Sequence, residues 1–131
     1  EDKIIFEKLN ENISNKLKKI ALNFKKFYLW PGNESDYYAT NITTRKYLKN
    51  SGGYDYHNDF IFNGSIRLMT FIIYLNDVYE GGDTKFLHQD INIKPLAGKL
   101  LIFPPTHLHI HVGMPSISND KYIITSFFEK K

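Results

Sequence analysis

The sequence predicts a mainly β (α+β) fold in which one N-terminal amphipathic helix packs against a small β barrel or sandwich. Three observations carry that expectation. A helical apolar period is confined to the start of the chain, short stretches rich in Ile, Tyr, Phe and Thr follow it, and Gly, Asn and Pro punctuate them at regular intervals. Strands spaced in this way, with turn signals every roughly 8–12 residues, suit a sandwich or a small barrel.

The helix is expected over residues 3–26. Apolar side chains recur at Ile5, Leu9, Ile13, Leu17, Ile20, Phe24 and Phe27, in steps of four and three, with Lys and Asn on the opposite face. Trp30-Pro31-Gly32-Asn33 ends the pattern, because Pro and Gly do not continue a helix. The β core then runs over about 37–128. Strands are expected at 37–48, 53–57, 66–75, 84–87, 91–94, 99–103, 107–112 and 121–128. The breaks between them are Asn50-Ser51-Gly52-Gly53, Asn63-Gly64, Glu80-Gly81-Gly82-Asp83, residues 95–98, Pro104-Pro105 and residues 115–120. No repeat, linker or low-complexity tract interrupts them, so residues 1–131 read as a single domain.

Composition narrows the function classes. With 42% apolar and 24% charged residues the chain is globular, neither disordered nor fibrous. Zero cysteines exclude disulfides, thiolate metal sites and a cysteine nucleophile. The net charge of +3 rests on 15 Lys against 2 Arg, spread along the chain and not gathered on one face. That distribution argues against nucleic acid as a partner. No apolar run approaches the roughly 18 residues of a membrane span, and Glu1-Asp2-Lys3 opens no secretory pattern. The expectation is a soluble, cytoplasmic protein with no membrane partner and a peptide or small molecule as substrate. The oligomeric state is not legible.

Chemistry concentrates in two places. His57-Asn58-Asp59 sets an imidazole and a carboxylate two residues apart, on one face of a strand. His107-Leu108-His109-Ile110-His111 sets three imidazoles on one strand face. Two His and one carboxylate on one side of an ion leave three positions open, the pattern of non-haem Fe(II) oxygenases. A zinc site made by the three histidines alone is disfavoured: strand residues i and i+4 lie roughly 13 Å apart, whereas zinc binds imidazole nitrogen at about 2 Å. At most one or two of His107, His109 and His111 can share an ion, and a solvated strand face is the plain alternative. His88 lies in a polar stretch and reads as exposed.

The surroundings of these histidines resemble a known family. The run 67–84, from Arg67 through Thr70, Tyr74-Leu75-Asn76 and Glu80-Gly81-Gly82-Asp83-Thr84, is similar to the central segment of prolyl 4-hydroxylase-like, 2-oxoglutarate- and Fe(II)-dependent dioxygenases. Upstream, Gly53-Tyr54-Asp55-Tyr56 leads into His57 and Asp59 as in that family. Downstream, Lys94-Pro95 to Gly98, the apolar Leu100-Leu101-Ile102-Phe103, His111-Val112-Gly113-Met114-Pro115 and Lys121 to Thr125 follow in the same order. The resemblance covers about residues 45–128.

The resemblance implies a double-stranded β-helix (jelly-roll, cupin-like) core and an oxidoreductase, a dioxygenase that hydroxylates a C–H bond with release of succinate and CO2. It implies Fe(II), 2-oxoglutarate as cosubstrate and O2, with ascorbate as an optional addition. It assigns the metal to His57, Asp59 and His111, the last chosen because it precedes Gly113 and Pro115 and stands ten residues before Lys121. Lys121 becomes the partner of the far carboxylate of 2-oxoglutarate, and Tyr74 a donor to the same group. Tyr47 falls near the chelating end, and Thr125 beside the cosubstrate. For each tyrosine the alternative is a core or rim aromatic with its hydroxyl at water. Arg67, Thr70, Gly81 and Gly82 match the family pattern and read as structural, the glycines as a tight turn needing positive φ. Phe71, Ile73, Leu101, Phe103 and Phe127 are expected to form an apolar surround.

This chain departs from the family at Phe127, where Trp is common, and at Lys49-Asn50-Ser51. Only 51 residues separate Asp59 from His111, so long covering loops are not expected. The implied substrate is a peptidyl proline or a related side chain. The alternatives are the same chemistry on a free amino acid, small metabolite or nucleic acid, and a non-catalytic metal-binding β-barrel.

Overall fold

The computed structural model describes residues 2–131. Helix α1 spans Asp2–Leu22, and nine strands follow: β1 (Tyr37–Ala39), β2 (Thr43–Tyr47), β3 (Ile61–Phe62), β4 (Ser65–Tyr74), β5 (Thr84–Phe86), β6 (Ile91–Ile93), β7 (Leu100–Phe103), β8 (His111–Gly113) and β9 (Lys121–Lys130). Two antiparallel sheets face one another as the halves of a double-stranded β-helix. The larger runs β1-β9-β4-β3, with β2 also on β9 and β7 on β4; the smaller runs β6-β5-β8. Among the described residues no helix is long and apolar enough to cross a membrane.

The period of two along β9 and β4 sorts the larger sheet into two environments. Phe128, Met69 and Phe71 point to the outer face, where they meet Leu17 and Ala21 of α1 and Tyr37 of β1 in one buried cluster. Ile123, Ile72 and Tyr74 point inward, toward Phe86 and Phe103. A register shift between Arg67 and Met69 adds one residue to β4. That bulge changes the phase of the strand and turns Arg67 inward beside Thr70, Ile72 and Tyr74.

The sequence reading holds in outline and fails in four places. The helix ends at Leu22, not at 26, and turns carry the chain to Trp30, whose ring lies 5.4 Å from that of Phe128. Burial of the apolar stripe begins at Ile13, while Ile5, Leu9 and Phe27 stay exposed. The strand expected over 37–48 is two strands on one edge of β9. Between them Thr40 substitutes its hydroxyl for a ladder partner, accepting from Phe127 N–H at 3.0 Å, and Ile42 is buried as its N–H donates to Asn10 of α1 at 2.9 Å.

Residues 53–57 form no strand. Gly53 approaches β8 so closely that a Cβ there would sit 2.4 Å from Gly113 O, and pairing is reduced to a single bridge between His57 and His111. Finally, 107–112 is not one strand. His107–His109 is a 3-10 turn in which Thr106 caps Leu108 N–H, and only His111 enters β8. The short hairpin β3–β4 around Asn63-Gly64 was read only as a turn.

Candidate metal centre and cosubstrate cavity

His57 and His111 come from distant parts of the chain and are fastened backbone to backbone. His57 N–H donates to His111 O at 3.0 Å, and His111 N–H donates to His57 O at 2.9 Å. Their rings lie 4.4 Å apart. Asp59 follows two residues later, anchored by its own N–H to Pro105 O at 3.2 Å and by the Thr70 hydroxyl, which donates to Oδ2 at 3.4 Å. Asp59 Oδ1 stands 3.7 Å from His57 Nε2, and Oδ2 stands 3.4 Å from His111 Nε2. The donor atoms of all three residues fall within 4.8 Å of one another.

Both imidazoles face this point with the same nitrogen. His57 Nδ1 lies 2.7 Å from Asp55 O and His111 Nδ1 lies 2.9 Å from His109 O. A carbonyl only accepts, so each Nδ1 carries the proton and each Nε2 keeps its lone pair for the centre. Two neutral imidazoles and one carboxylate on one side fit Fe(II) with open positions opposite. Burial alone would raise the Asp59 carboxyl. Before a metal binds, His111 with its Nε2 protonated, together with protonated His57 and with Arg67, outweighs it and holds Asp59 below its usual range, in the anionic form; a metal takes the place of those Nε2 protons.

The turn at 107–109 keeps the other two histidines away from this point. His107 is exposed, and His109 packs its ring 6.4 Å from that of Phe103. His109 instead serves through its carbonyl, which orients His111. His88 is exposed.

A cavity of about 380 Å³ opens beside the triad, between the two sheets. Lys121, Tyr74, Tyr47 and Thr125 all line it, as their strand phase requires. Lys121 is only 4% exposed. Its Nζ donates to Gly82 O at 2.7 Å and lies 5.1 Å from the ring of Tyr47, its partner across β2 and β9. Burial pushes this ammonium down to about 8, against an upward pull from Asp83. Among the described residues it has no carboxylate within 4 Å, so a buried cation faces the cavity without a counter-ion.

Tyr74 is fully buried, with its hydroxyl 2.6 Å from Thr84 Oγ1. Burial raises it to about 12, so the hydroxyl stays protonated through the working range. Thr125 lies 3.5 Å from Thr43 O and contributes its hydroxyl to the wall. Gly81 and Gly82 adopt φ of 72° and 73°, as the turn demands. Of the expected apolar surround, Leu101 and Phe103 pack inward and Phe127 lines the cavity. Phe71 and Ile73 face the helix instead, by the parity of β4.

The sequence reading missed Thr84 and Arg45 at the site, and it took Gly82 and Arg67 as structural only. Thr84 holds Tyr74, and the carbonyl of Gly82 holds Lys121. Arg67 stacks its guanidinium 3.4 Å from the Phe127 ring centre and 4.6 Å from that of Phe62, facing Glu129 at 3.6 Å. Arg45 also lines the cavity. Arg45 stands two residues before Tyr47, so the period of two within the expected 37–48 strand already put both on one face, and that signal was available.

Comparison with known proteins agrees with this arrangement. A family model described as the 2OG-Fe(II) oxygenase superfamily matches residues 42–129. A protein of Acanthamoeba polyphaga mimivirus named "Putative prolyl 4-hydroxylase" is 29% identical over 111 residues, covering 71% of this chain and 46% of the relative. The chain thus spans about half the length of that relative. Among solved structures, a viral collagen prolyl hydroxylase from Paramecium Bursaria Chlorella virus-1, in its 2OG complex, superposes with a TM-score of 0.70 at 22% identity, over 89% of this chain and 71% of that one. A Trichoplax adhaerens prolyl hydroxylase in complex with a hypoxia inducible factor peptide fragment gives 0.62 at 23% identity, over 70% of this chain and 44% of that one. These structures share the fold, and the family match extends over well more than half of the sequence: this chain belongs to the 2OG-Fe(II) oxygenase superfamily.

Proposed function

We propose that the protein is a 2-oxoglutarate- and Fe(II)-dependent hydroxylase of the prolyl 4-hydroxylase kind, acting on a peptidyl proline or a related side chain and releasing succinate and CO2. The observation that carries this reading is one cavity that joins a two-imidazole, one-carboxylate donor set to a buried ammonium without a counter-ion. The peptidyl substrate is supported by the names of the relatives, which are prolyl hydroxylases, one of them bound to a peptide.

In this reading His57, Asp59 and His111 hold Fe(II), and the ion supplies oxygen activation when bound. The rest is work for the chain. The Nδ1–H bonds to backbone carbonyls keep both imidazoles aimed before any ligand arrives, so no reorganisation is needed on binding. Lys121 receives the far carboxylate of 2-oxoglutarate, and a cation in a partly dry pocket selects a dicarboxylate over a monocarboxylate. The Tyr74 hydroxyl, turned toward Thr84, donates to the same carboxylate. Tyr47 and Thr125 bound the near end of the cosubstrate. Ile72 in the cavity wall and Phe103 buried behind it limit entry of water.

The test is succinate formation in the presence and absence of each of Fe(II), 2-oxoglutarate and O2, with a +16 Da product on a proline-containing peptide. All three should be required, and His57→Ala should abolish turnover. Turnover that survives His57→Ala removes the assignment.

A further inference from the structure

The cavity carries one more positive charge than the proposed cosubstrate site uses. Four formally charged side chains line it: Arg45, Arg67 and Lys121 against Asp59. Three are accounted for. Asp59 sits between the imidazoles, Lys121 awaits a dicarboxylate, and Arg67 is clasped between two aromatic rings with Glu129 beside it. Arg45 has no such partner. Among the described residues no carboxylate lies within 4 Å of its guanidinium, and its side-chain hydrogen bond is to the Tyr54 hydroxyl at 3.4 Å.

The contrast with the next residue is informative. Along β2, Thr43, Arg45 and Tyr47 face the cavity, and Lys46 faces away. Lys46, on the outside, is paired with Asp120 at 3.3 Å. Thus of two adjacent basic residues the outward one is neutralised within the chain and the inward one is not. Arg45 is exposed, at the mouth of the cavity, and one side chain separates it from the donor set. Its hydrogen-bond partner Tyr54 lays its ring 5.5 Å from the His57 ring, so a single tyrosine spans the gap between the guanidinium and the donor set. An extended chain advances about 3.3 Å per residue, so a group held by Arg45 lies on the reacting residue or within a few residues of it.

We infer that Arg45 is a specificity-determining residue that receives a carboxylate carried by the substrate near its oxidised carbon. The inference rests on the hydroxylase reading above and names the substrate class for it. The planar guanidinium matches a carboxylate with two parallel hydrogen bonds, and the Tyr54 hydroxyl stands ready as a further donor. A divalent ion and a dicarboxylate cosubstrate cancel one another's charge, so the surplus at Arg45 persists in the loaded site. The carboxylate has two sources: the α-carboxylate of a free amino acid, or an acidic side chain beside a proline in a peptide.

Two matched probe sets separate these sources: L-proline against L-prolinamide, and acetyl-Ala-Pro-Asp-amide against its Asn and Lys counterparts. Binding is measured by calorimetry on protein holding Fe(II) and 2-oxoglutarate without O2. It is measured again on the metal-free protein by following the arginine Nε–H signals in NMR. The chain has only two arginines, so Arg45→Gln assigns both signals at once. In at least one set the acidic probe should bind tenfold or more tighter than its neutral match and shift the Arg45 signal. Arg45→Gln should bring the pair to within twofold, and Arg45→Glu should turn the preference toward the Lys peptide. A preference in the first set alone assigns a free amino acid, and in the second alone an acidic peptide. Charge-blind binding in both sets overturns the inference. So does a preference that survives Arg45→Gln, or an Arg45→Gln loss that falls on 2-oxoglutarate affinity instead. Failure of the hydroxylase reading looks different, as absence of succinate with every probe.

Discussion

β9 has two faces that are almost equally buried and chemically opposite. Toward α1 it presents Ile124, Ser126 and Phe128; toward the smaller sheet it presents Lys121, Ile123 and Thr125. On the helix side the space is filled. Phe128 stacks on Tyr37 with ring centres 5.5 Å apart and planes 6° from parallel, and Trp30 closes over it. On the other side the facing strands β5, β6 and β8 have three residues each, and a cavity of about 380 Å³ is left between the sheets. Strand alternation decides which side chains share a face. What lies opposite decides whether that face becomes a sealed core or a binding site.

Substitution on each face should therefore break a different property, and the largest effect on folding belongs to the helix side. Phe128→Ala removes a fully buried ring that touches two other aromatics. It should cost about 3–5 kcal/mol of stability, read as a lower midpoint in denaturant with an unchanged slope. Turnover per folded molecule should stay near that of the parent, because the donor set and Lys121 lie on the opposite face. Loss of metal binding at a temperature where the variant is folded would show that the two faces are not independent.

Lys121 is the counterpart on the cavity side, and here stability and binding should move in opposite directions. Lys121→Met removes the proposed partner of a carboxylate and should weaken 2-oxoglutarate binding by on the order of 10²-fold. It also removes a buried ammonium without a counter-ion, so the ligand-free protein should gain about 1–2 kcal/mol. The pH dependence follows with a definite sign. The folded value of about 8 lies below the ordinary lysine value of 10.5, so between these limits the unfolded chain binds more protons than the folded one. Stability of the ligand-free protein should rise with pH through that window, and the full penalty applies below it. Affinity for 2-oxoglutarate should fall over the same window as the ammonium is lost. Calorimetry at pH 7 and pH 9.5 on both proteins reads the two trends together. Trends that persist in Lys121→Met belong to another group.

How much of this was legible beforehand follows the same physics. The apolar, β-branched runs of β4 and β9 and the helical steps through Ile13 and Leu17 are local regularities, so the long strands and the helix could be read directly, although the faces of Phe71 and Ile73 were not. The site was legible because its residues sit in short motifs, His57 with Asp59 and His111 before Gly113. What could not be read depends on contacts between distant segments. Gly53 gives up its strand to approach Gly113, Thr40 breaks an edge with its own hydroxyl, and Thr106 coils 107–109 into a turn. Nothing local to Arg67 announces the bulge that reverses its side, and nothing local to Thr84 announces Tyr74.

Tyr74 carries the smallest expected effect, and it tests whether an inward, fully buried side chain belongs to the site or to the core. Among the described residues its hydroxyl has one partner, Thr84 Oγ1 at 2.6 Å, and a hydroxyl can donate one bond while accepting others. If Tyr74 donates to the cosubstrate, Tyr74→Phe removes one charge-assisted hydrogen bond, from a neutral donor to a carboxylate that Lys121 still holds. The expected loss is about 1.5 kcal/mol, the low end for such bonds, a rise of roughly tenfold in the KM for 2-oxoglutarate with kcat little changed. Thr84→Val leaves the same tyrosine hydroxyl in place without its neighbour, and should produce a smaller rise. Because burial holds Tyr74 near 12, neither parent nor Thr84→Val should show an inflection from this group below about pH 11. A Tyr74→Phe protein that loses stability while its KM stays put would move Tyr74 to the core side of the comparison. Lys121 would then be left as the one polar anchor on the inner face.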